Sequence, residues 1–231
     1  MAGVSRLQYA TDMRLVRIMC SGRVDLEFIF RAFAKGQDGV FIGGCKLDEC
    51  NYVTHGNYDA WAITYIAKKI LAAIGIEPDR LRTEFMSGAD GNLLAEYTND
   101  FSRQIKEMGP MGQKEGLTKE EVDFNLTAAR KLVPYMRLAE RERLRIPEKS
   151  KTSCKTFFDS RATNALFNEI LTDRLAISRI MLLLKEQPFS TQEIAQKLGL
   201  NPSDVSRHMI TSSRHGMVTY DTQTHCYARR L

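Results

Sequence analysis

A chain of 231 residues, 43% hydrophobic and 26% charged, has the composition of an ordinary folded protein of one or two domains. It holds no run of about 18 apolar residues, which excludes a membrane-spanning helix, and its first residues lack the charged-then-apolar pattern of a secretory signal, so a cytoplasmic location is expected. The net charge of +5 is concentrated between Ala129 and Lys151, where eight basic residues face three acidic ones, and near-neutral flanks argue against a globally basic nucleic-acid coat.

Along residues 1–110 strand and helix signals alternate. Leu15-Val16-Arg17-Ile18-Met19 predicts a first strand ending at Cys20. Asp25 then caps a helix with Leu26, Ile29, Phe30 and Phe33 on one face, and Gly36 stops it. Gly39-Val40-Phe41-Ile42-Gly43 predicts a second strand, running toward Cys45. Asn57 opens a longer helix with Ala62, Ile66, Ile70 and Ile74 on its core face, where Trp61 is also expected, and Gly75 ends it. Leu81 to Met86 alternates as a strand, and Leu94, Tyr97, Phe101, Ile105 and Met108 mark a last helix before Gly109-Pro110. The expectation is an α/β fold: a small parallel sheet of about three strands in a three-layer domain.

Residues 111–160 read as a charged helical linker, capped at Thr118 and closed at Pro147, with a basic face from Arg130 to Arg145 that is either solvated or a contact for an acidic partner subunit. Residues 161–231 read differently. Phe167 to Leu184 is amphipathic, Ser190-Thr191-Gln192-Glu193 is a capping box, Gly199 breaks the helix it opens, and Asn201-Pro202 starts another that ends near Gly216. Met217–Tyr220 and His225–Arg229 then suit two short strands. Helix, helix, turn, helix and hairpin make a C-terminal winged helix-turn-helix domain.

In a parallel sheet, ligands sit beyond the carboxyl ends of the strands. Cys20 and Cys45 each follow a strand, and the loop after Cys45 returns Cys50 to the same edge, so three thiols are expected on one rim. Ser21-Gly22 and Gly43-Gly44 free the backbone beside them, as a bulky inorganic centre requires. Three chemistries remain open for these thiols. They are an iron–sulfur cluster, for which Cys-x4-Cys is a known two-iron spacing, a zinc site of Cys20, Cys45, Cys50 and His55, and plain structural cysteines. Cys154, expected in a Lys-flanked loop, Cys226, and His208, His215 and His225 carry no ligand spacing. No dinucleotide fingerprint, P-loop or nucleophile–base motif is present, so no bound nucleotide and no catalytic site of its own are expected; the pair in Met86-Ser87-Gly88-Ala89-Asp90-Gly91 only shapes the rim.

Val16-Arg17-Ile18-Met19-Cys20-Ser21-Gly22-Arg23-Val24-Asp25 and Gly39-Val40-Phe41-Ile42-Gly43-Gly44-Cys45-Lys46-Leu47-Asp48-Glu49-Cys50-Asn51-Tyr52 resemble the delta subunit of methyl-viologen-reducing hydrogenase. The likeness continues through Gly75-Ile76-Glu77-Pro78-Asp79-Arg80-Leu81-Arg82 to about Pro110. Forms of the family with a C-terminal winged helix resemble Asp173-Arg174-Leu175-Ala176-Ile177-Ser178-Arg179-Ile180-Met181-Leu182-Leu183. The resemblance implies an electron-transfer subunit with a [2Fe–2S] cluster, whose iron would be held by Cys20, Cys45 and Cys50. It also implies partners: a hydrogenase or formate dehydrogenase on one side and a flavin-containing, heterodisulfide-reductase-like subunit on the other. Where the family often has His-Pro-Gly-Asp between the last two cysteines, this chain has Lys46-Leu47-Asp48-Glu49, with the spacing kept. The family begins with a strand and a Cys-x-x-Cys-type motif ahead of the stretch matching Ala2–Arg6, whereas this sequence starts at Met1; a reading frame extending upstream, and a fourth ligand missing here, are the expectation.

The rival function is a redox-sensing, DNA-binding regulator, with Ser203, Ser206, Arg207, Thr211 and Arg214 offered to a groove and Arg229-Arg230 to phosphate. From Gln187 to Leu231, however, five basic residues stand against three acidic ones, thin for phosphate neutralisation, which favours protein docking over nucleic acid.

Overall fold

The computed structural model describes residues 8–52, 56–144, 146 and 148–230. Asp25 caps α1 (Leu26–Ala34) as its sequence implies, its carboxylate accepting the Glu27 N–H at 2.7 Å. Leu26, Ile29, Phe30 and Phe33, three and four residues apart, form the buried face, and Gly36 leaves the helix at φ +84°. Then come β1 (Val40–Cys45), α2 (Asn57–Ala73), β2 (Leu81–Met86) and α3 (Gly91–Met108). The strands pair in parallel, from Val40 opposite Leu81 to Cys45 opposite Met86, with α2 as the crossover.

The two-residue period of the strands divides the layers. On one face Val40, Ile42 and Leu81 join α1 and α2, while the Thr83 and Thr64 hydroxyls meet at 2.6 Å. On the other face Phe41 meets Phe101 of α3 at 5.7 Å between ring centroids, and Arg82 pairs with Asp100 at 2.6 Å. The three-layer α/β arrangement follows from this alternation.

Two features differ from the sequence expectation. The run Leu15–Met19 is not a strand: it carries no ladder among the described residues, and Leu15, Val16 and Met19 are 71%, 84% and 89% exposed. A β-branched run becomes a strand only where an edge pairs with it, so the described sheet has two strands rather than three. Nor is the charged segment after Pro110 solvated all round. In α4 (Lys119–Glu142), which opens on the expected Thr118 capping box, Val122, Leu126, Ala129, Leu132, Val133 and Met136 are buried in the same core as α1 and α2. Its basic face is tied down as well, Arg130 to Glu27 at 2.7 Å and Arg137 to Asp25. A helix can be rich in charge and still bury a full apolar stripe. Arg145 and Pro147 lie outside the described residues.

After the short α5 (Lys151–Asp159), the long α6 (Arg161–Leu183) belongs to two cores. Phe167, Ile170, Leu171 and Leu175 pack with α4; Ile180 and Leu183 pack with the C-terminal elements. Those elements form the winged helix. The Ser190–Glu193 capping box opens α7 (Thr191–Leu198), Gly199 turns left-handed at φ +62°, and Asn201 caps α8 (Pro202–Arg214). The hairpin of β3 (Val218–Asp221) and β4 (Cys226–Arg229) closes it, with Phe189 bridging to Tyr227. Among the described residues no helix is long and apolar enough to cross a membrane.

At the amino ends of the strands Arg80, 0% exposed, is bidentate to the buried Glu115 carboxylate at 2.6 and 3.1 Å and also donates to the carbonyls of Asp38, Gly109 and Pro110. Burial raises the Glu115 pKa, but the Arg80 guanidinium and backbone N–H groups outweigh it and hold the carboxyl below its ordinary value. Removing one partner leaves a buried charge unpaired. Glu115→Gln is therefore expected to lower unfolding free energy by about 3–5 kcal/mol in urea titrations at neutral pH. The contribution of this carboxylate is full above pH 4.5 and is lost as pH falls through its lowered folded-state value, so the gap between variant and parent should narrow in acid.

Candidate functional site

β1 ends at Cys45, and a tight turn through Lys46–Glu49 brings the chain to Cys50. Cys20 arrives by another route than expected: not from a strand, but at the head of a single 3-10 turn, Ser21–Arg23, that packs against α2 and β1. The three thiols thus meet where the carboxyl end of β1 faces the amino end of α2. Cys45 is exposed, and Cys20 and Cys50 are half-buried.

Their electrostatics differ although they are neighbours. Burial first, then the thiols of Cys50 and Cys20, push Cys45 up to about 11. Burial also opposes ionisation of Cys50, but the backbone N–H groups of Asn57 and Tyr52, with the Cys45 and Cys20 thiols, hold it below its ordinary value. A thiol at a helix amino terminus is lowered in this way because backbone donors and the helix dipole favour the thiolate.

The loop is held from behind by the first turn of α2. Asn57 is its first residue, as expected, with Gly56 at the cap position, and its side-chain amide donates to the carbonyls of Cys45 and Lys46 at 2.9 and 2.8 Å. The buried Tyr58 donates to Asp48 Oδ1 at 2.5 Å; burial, then that carboxylate, push the phenol up to about 12. Asp48 itself stands at φ +69°, where glycine is the easier residue. Leu47 packs on a small cluster of Tyr58, Ala62, Ile146, Cys154 and Phe158, so Cys154 lies buried in α5 and not in a loop. Trp61 is half-buried beside this cluster and meets Phe85 at 6.2 Å.

Two glycines make room. A Cβ on Gly44 would lie 2.8 Å from Ser21 Oγ and 2.9 Å from the Phe85 ring. One on Gly56 would strike the Tyr52 carbonyl and lie 2.5 Å from Cys50 Sγ. Ser21 is 6% exposed and its hydroxyl has no partner among the described residues, a costly state for a buried donor. Three thiols, a cradle that a methyl group would fill and an orphaned hydroxyl fit a sulfide-rich inorganic group, whose sulfides accept hydrogen bonds. Among the described residues no group of three or more His, Cys, Asp or Glu side chains is placed to hold a metal ion, and His55, named above for a zinc site, lies outside them. The sequence marks Ser21 as the neighbour of a glycine and Asn57 as a helix start, but the contacts that these two and Tyr58 make depend on which segments the fold brings together.

The other candidates stand apart. The Ser87 N–H is taken by Asp90 at 2.9 Å in the turn before α3. In α8, Arg207 is paired with Asp173 and Asp204 at 3.2 and 3.1 Å, and His208 is buried against α6. Cys226 lies in β4.

Residues 1–109 match the family described as methyl-viologen-reducing hydrogenase, delta subunit, and residues 178–209 match the bacterial regulatory protein, arsR family. An iron-sulfur subunit of the F420-non-reducing hydrogenase of Archaeoglobus profundus is 44% identical over 110 residues, 48% of this chain and 80% of that protein. The vhc iron-sulfur subunit of the F420-non-reducing hydrogenase of Methanococcus voltae is 42% identical over 118 residues, 51% and 81% of the two chains. One subunit of the ferredoxin/F420H2-dependent CoB-CoM heterodisulfide reductase of Methanosarcina acetivorans is 42% identical over 114 residues, which are 49% of this chain but only 14% of that longer one.

Because both neighbours of the Gly56 position are close and one is backbone, Gly56→Ala is expected to cost about 1–3 kcal/mol of stability, read as a lower denaturation midpoint. Gly88→Ala, where a Cβ meets nothing within 4 Å, should stay within about 0.5 kcal/mol of the parent.

Proposed function

Since the chain belongs to the methyl-viologen-reducing hydrogenase delta-subunit family, we propose that it is an electron-transfer subunit with a [2Fe–2S] cluster bound by Cys20, Cys45 and Cys50. It would pass electrons between a hydrogenase or formate dehydrogenase and a flavin-containing, heterodisulfide-reductase-like partner. The observation that carries this reading is the meeting of three thiols on a glycine-lined rim beside buried Ser21, whose hydroxyl has no partner among the described residues. The names of the relatives support it: some are iron-sulfur subunits of hydrogenases, and others belong to heterodisulfide reductases. When bound, the cluster supplies a one-electron carrier, accepting an electron from a reduced donor centre and giving it to an oxidised acceptor.

The work of the protein residues is to hold that carrier close to solvent. Cys45 is exposed at the end of β1, so a partner centre can approach it, while Gly44 and Gly56 keep bulk away. Asn57 and Tyr58 keep the Cys45–Cys50 loop in place. No bond-making chemistry is assigned to this chain; it serves as one part of an oxidoreductase complex.

For the winged helix the favoured role is docking to protein. Its arsR-type match supplies the rival, a redox-sensing regulator on duplex DNA. Yet Arg207, the central base of the exposed α8 face, is engaged by Asp173 and Asp204, and releasing it for phosphate would leave both carboxylates facing the duplex.

Protein made and kept without oxygen should be coloured, with iron and acid-labile sulfide in equal amounts. Cys45→Ser or Cys50→Ser should abolish the visible absorption and the electron transfer while leaving the far-ultraviolet circular dichroism unchanged. Colourless, iron-free parent protein would overturn the proposal. Fluorescence anisotropy with labelled duplex DNA at several salt concentrations checks the second point: little salt-dependent binding is expected, and tight binding with a steep salt slope would favour the regulator.

A further inference from the structure

One buried side chain holds the start of the Cys45–Cys50 loop. Asn57, 1% exposed, sits at the amino end of the 17-residue α2. Its Nδ2 donates to the carbonyls of Cys45 and Lys46 and stands 3.8 Å from Cys45 Sγ, within N–H···S range. We propose that Asn57 is the positioning residue of this cysteine pair and raises the reduction potential of the cluster the pair holds, by directing its amide N–H at Cys45 Sγ; this rests on the electron-relay reading above.

The physics follows from charge. Reduction adds a negative charge that spreads onto the ligating sulfurs, and an N–H dipole directed at such a sulfur stabilises the reduced form more than the oxidised one. The NH2 group has two hydrogens for three acceptors: the carbonyl bonds fix the amide, and the N–H toward Cys45 is shared between that residue's carbonyl oxygen and its sulfur. With Asn57 almost fully buried, bulk water does not compete with these acceptors for its amide donors. The residue type also matters. Aspartate at this position has the same shape but no donor, and it would set its oxygens against two carbonyl oxygens.

The test uses the full chain prepared without oxygen, as parent, Asn57→Ala and Asn57→Asp. Each is titrated with dithionite and redox mediators and followed by electron paramagnetic resonance. A lower midpoint is expected in both variants, by roughly a tenfold change in the reduction equilibrium for Asn57→Ala, or about 59 mV for one electron, and by more for Asn57→Asp. An unchanged midpoint in a folded variant of full iron content overturns the assignment. If neither variant folds, the parent is labelled with asparagine carrying 15N in the side-chain amide only, and its reduced state is measured by pulsed electron paramagnetic resonance. A coupled amide nitrogen is then expected, and its absence overturns the assignment. Parent protein without iron refutes the relay reading itself, whereas parent protein with iron and insensitive to Asn57 refutes only this inference.

Discussion

Arg80 joins three loops that lie far apart in the chain. Its guanidinium binds the Glu115 carboxylate and the carbonyls that precede β1 (Asp38) and follow α3 (Gly109, Pro110), while Glu115 also takes the N–H groups of Glu77 and Gly112. The starts of β1 and β2 are therefore pinned to one point. Two strands of six residues that begin level also end level, and this sets Cys45 opposite Met86 at the far edge. The position of the thiol rim is in this sense decided at the opposite end of the sheet. Such a pair is retained only where every donor and acceptor is matched, because a buried charge left over is worse than none.

The second constraint is α6. Its amino-terminal half completes the core of the α/β layer through Phe167, Ile170, Leu171 and Leu175, and its carboxyl-terminal half is part of the winged-helix core through Ile180 and Leu183. Ser178 donates to the Ala128 carbonyl at 2.9 Å between the two, so α4 and α6 are in contact along the join. A helix shared by two cores couples their orientation, since bending it would break backbone hydrogen bonds. The winged helix is thus carried as a fixed extension of the cysteine layer, and α5, packed under Leu47, ties the cysteine loop to the same frame.

Much of the site is legible for a simple reason: cysteines and glycines at fixed short spacings report local chemistry, and Cys45-x4-Cys50 with Gly43-Gly44 lies within one turn and its strand. Asp48 shows the limit of that reading. It occupies the place where the family often has glycine, and its left-handed backbone explains why glycine suits there, but its carboxylate has acquired a partner in Tyr58 that no local pattern announces. The route of Cys20 is hidden because Leu15–Met19 has strand composition without a strand partner among the described residues. The α4 stripe is easily overlooked because its charges are conspicuous in sequence while its apolar positions are spread over nearly seven turns.

What the sequence determined by itself are the quantities set by near neighbours: helix caps at Asp25, Thr118, Ser190 and Asn201, left-handed stops at Gly36 and Gly199, the parallel strand pattern and the winged-helix order. These follow from dihedral limits and side-chain periods that act within a few residues. Only the tertiary structure decided that Asn57 faces Cys45, that the buried Ser21 hydroxyl is without a partner among the described residues, and that Arg80 finds Glu115. Each of these needs two segments brought together by burial of apolar surface, a force without direction that selects which faces meet and leaves no mark in the local order of residues.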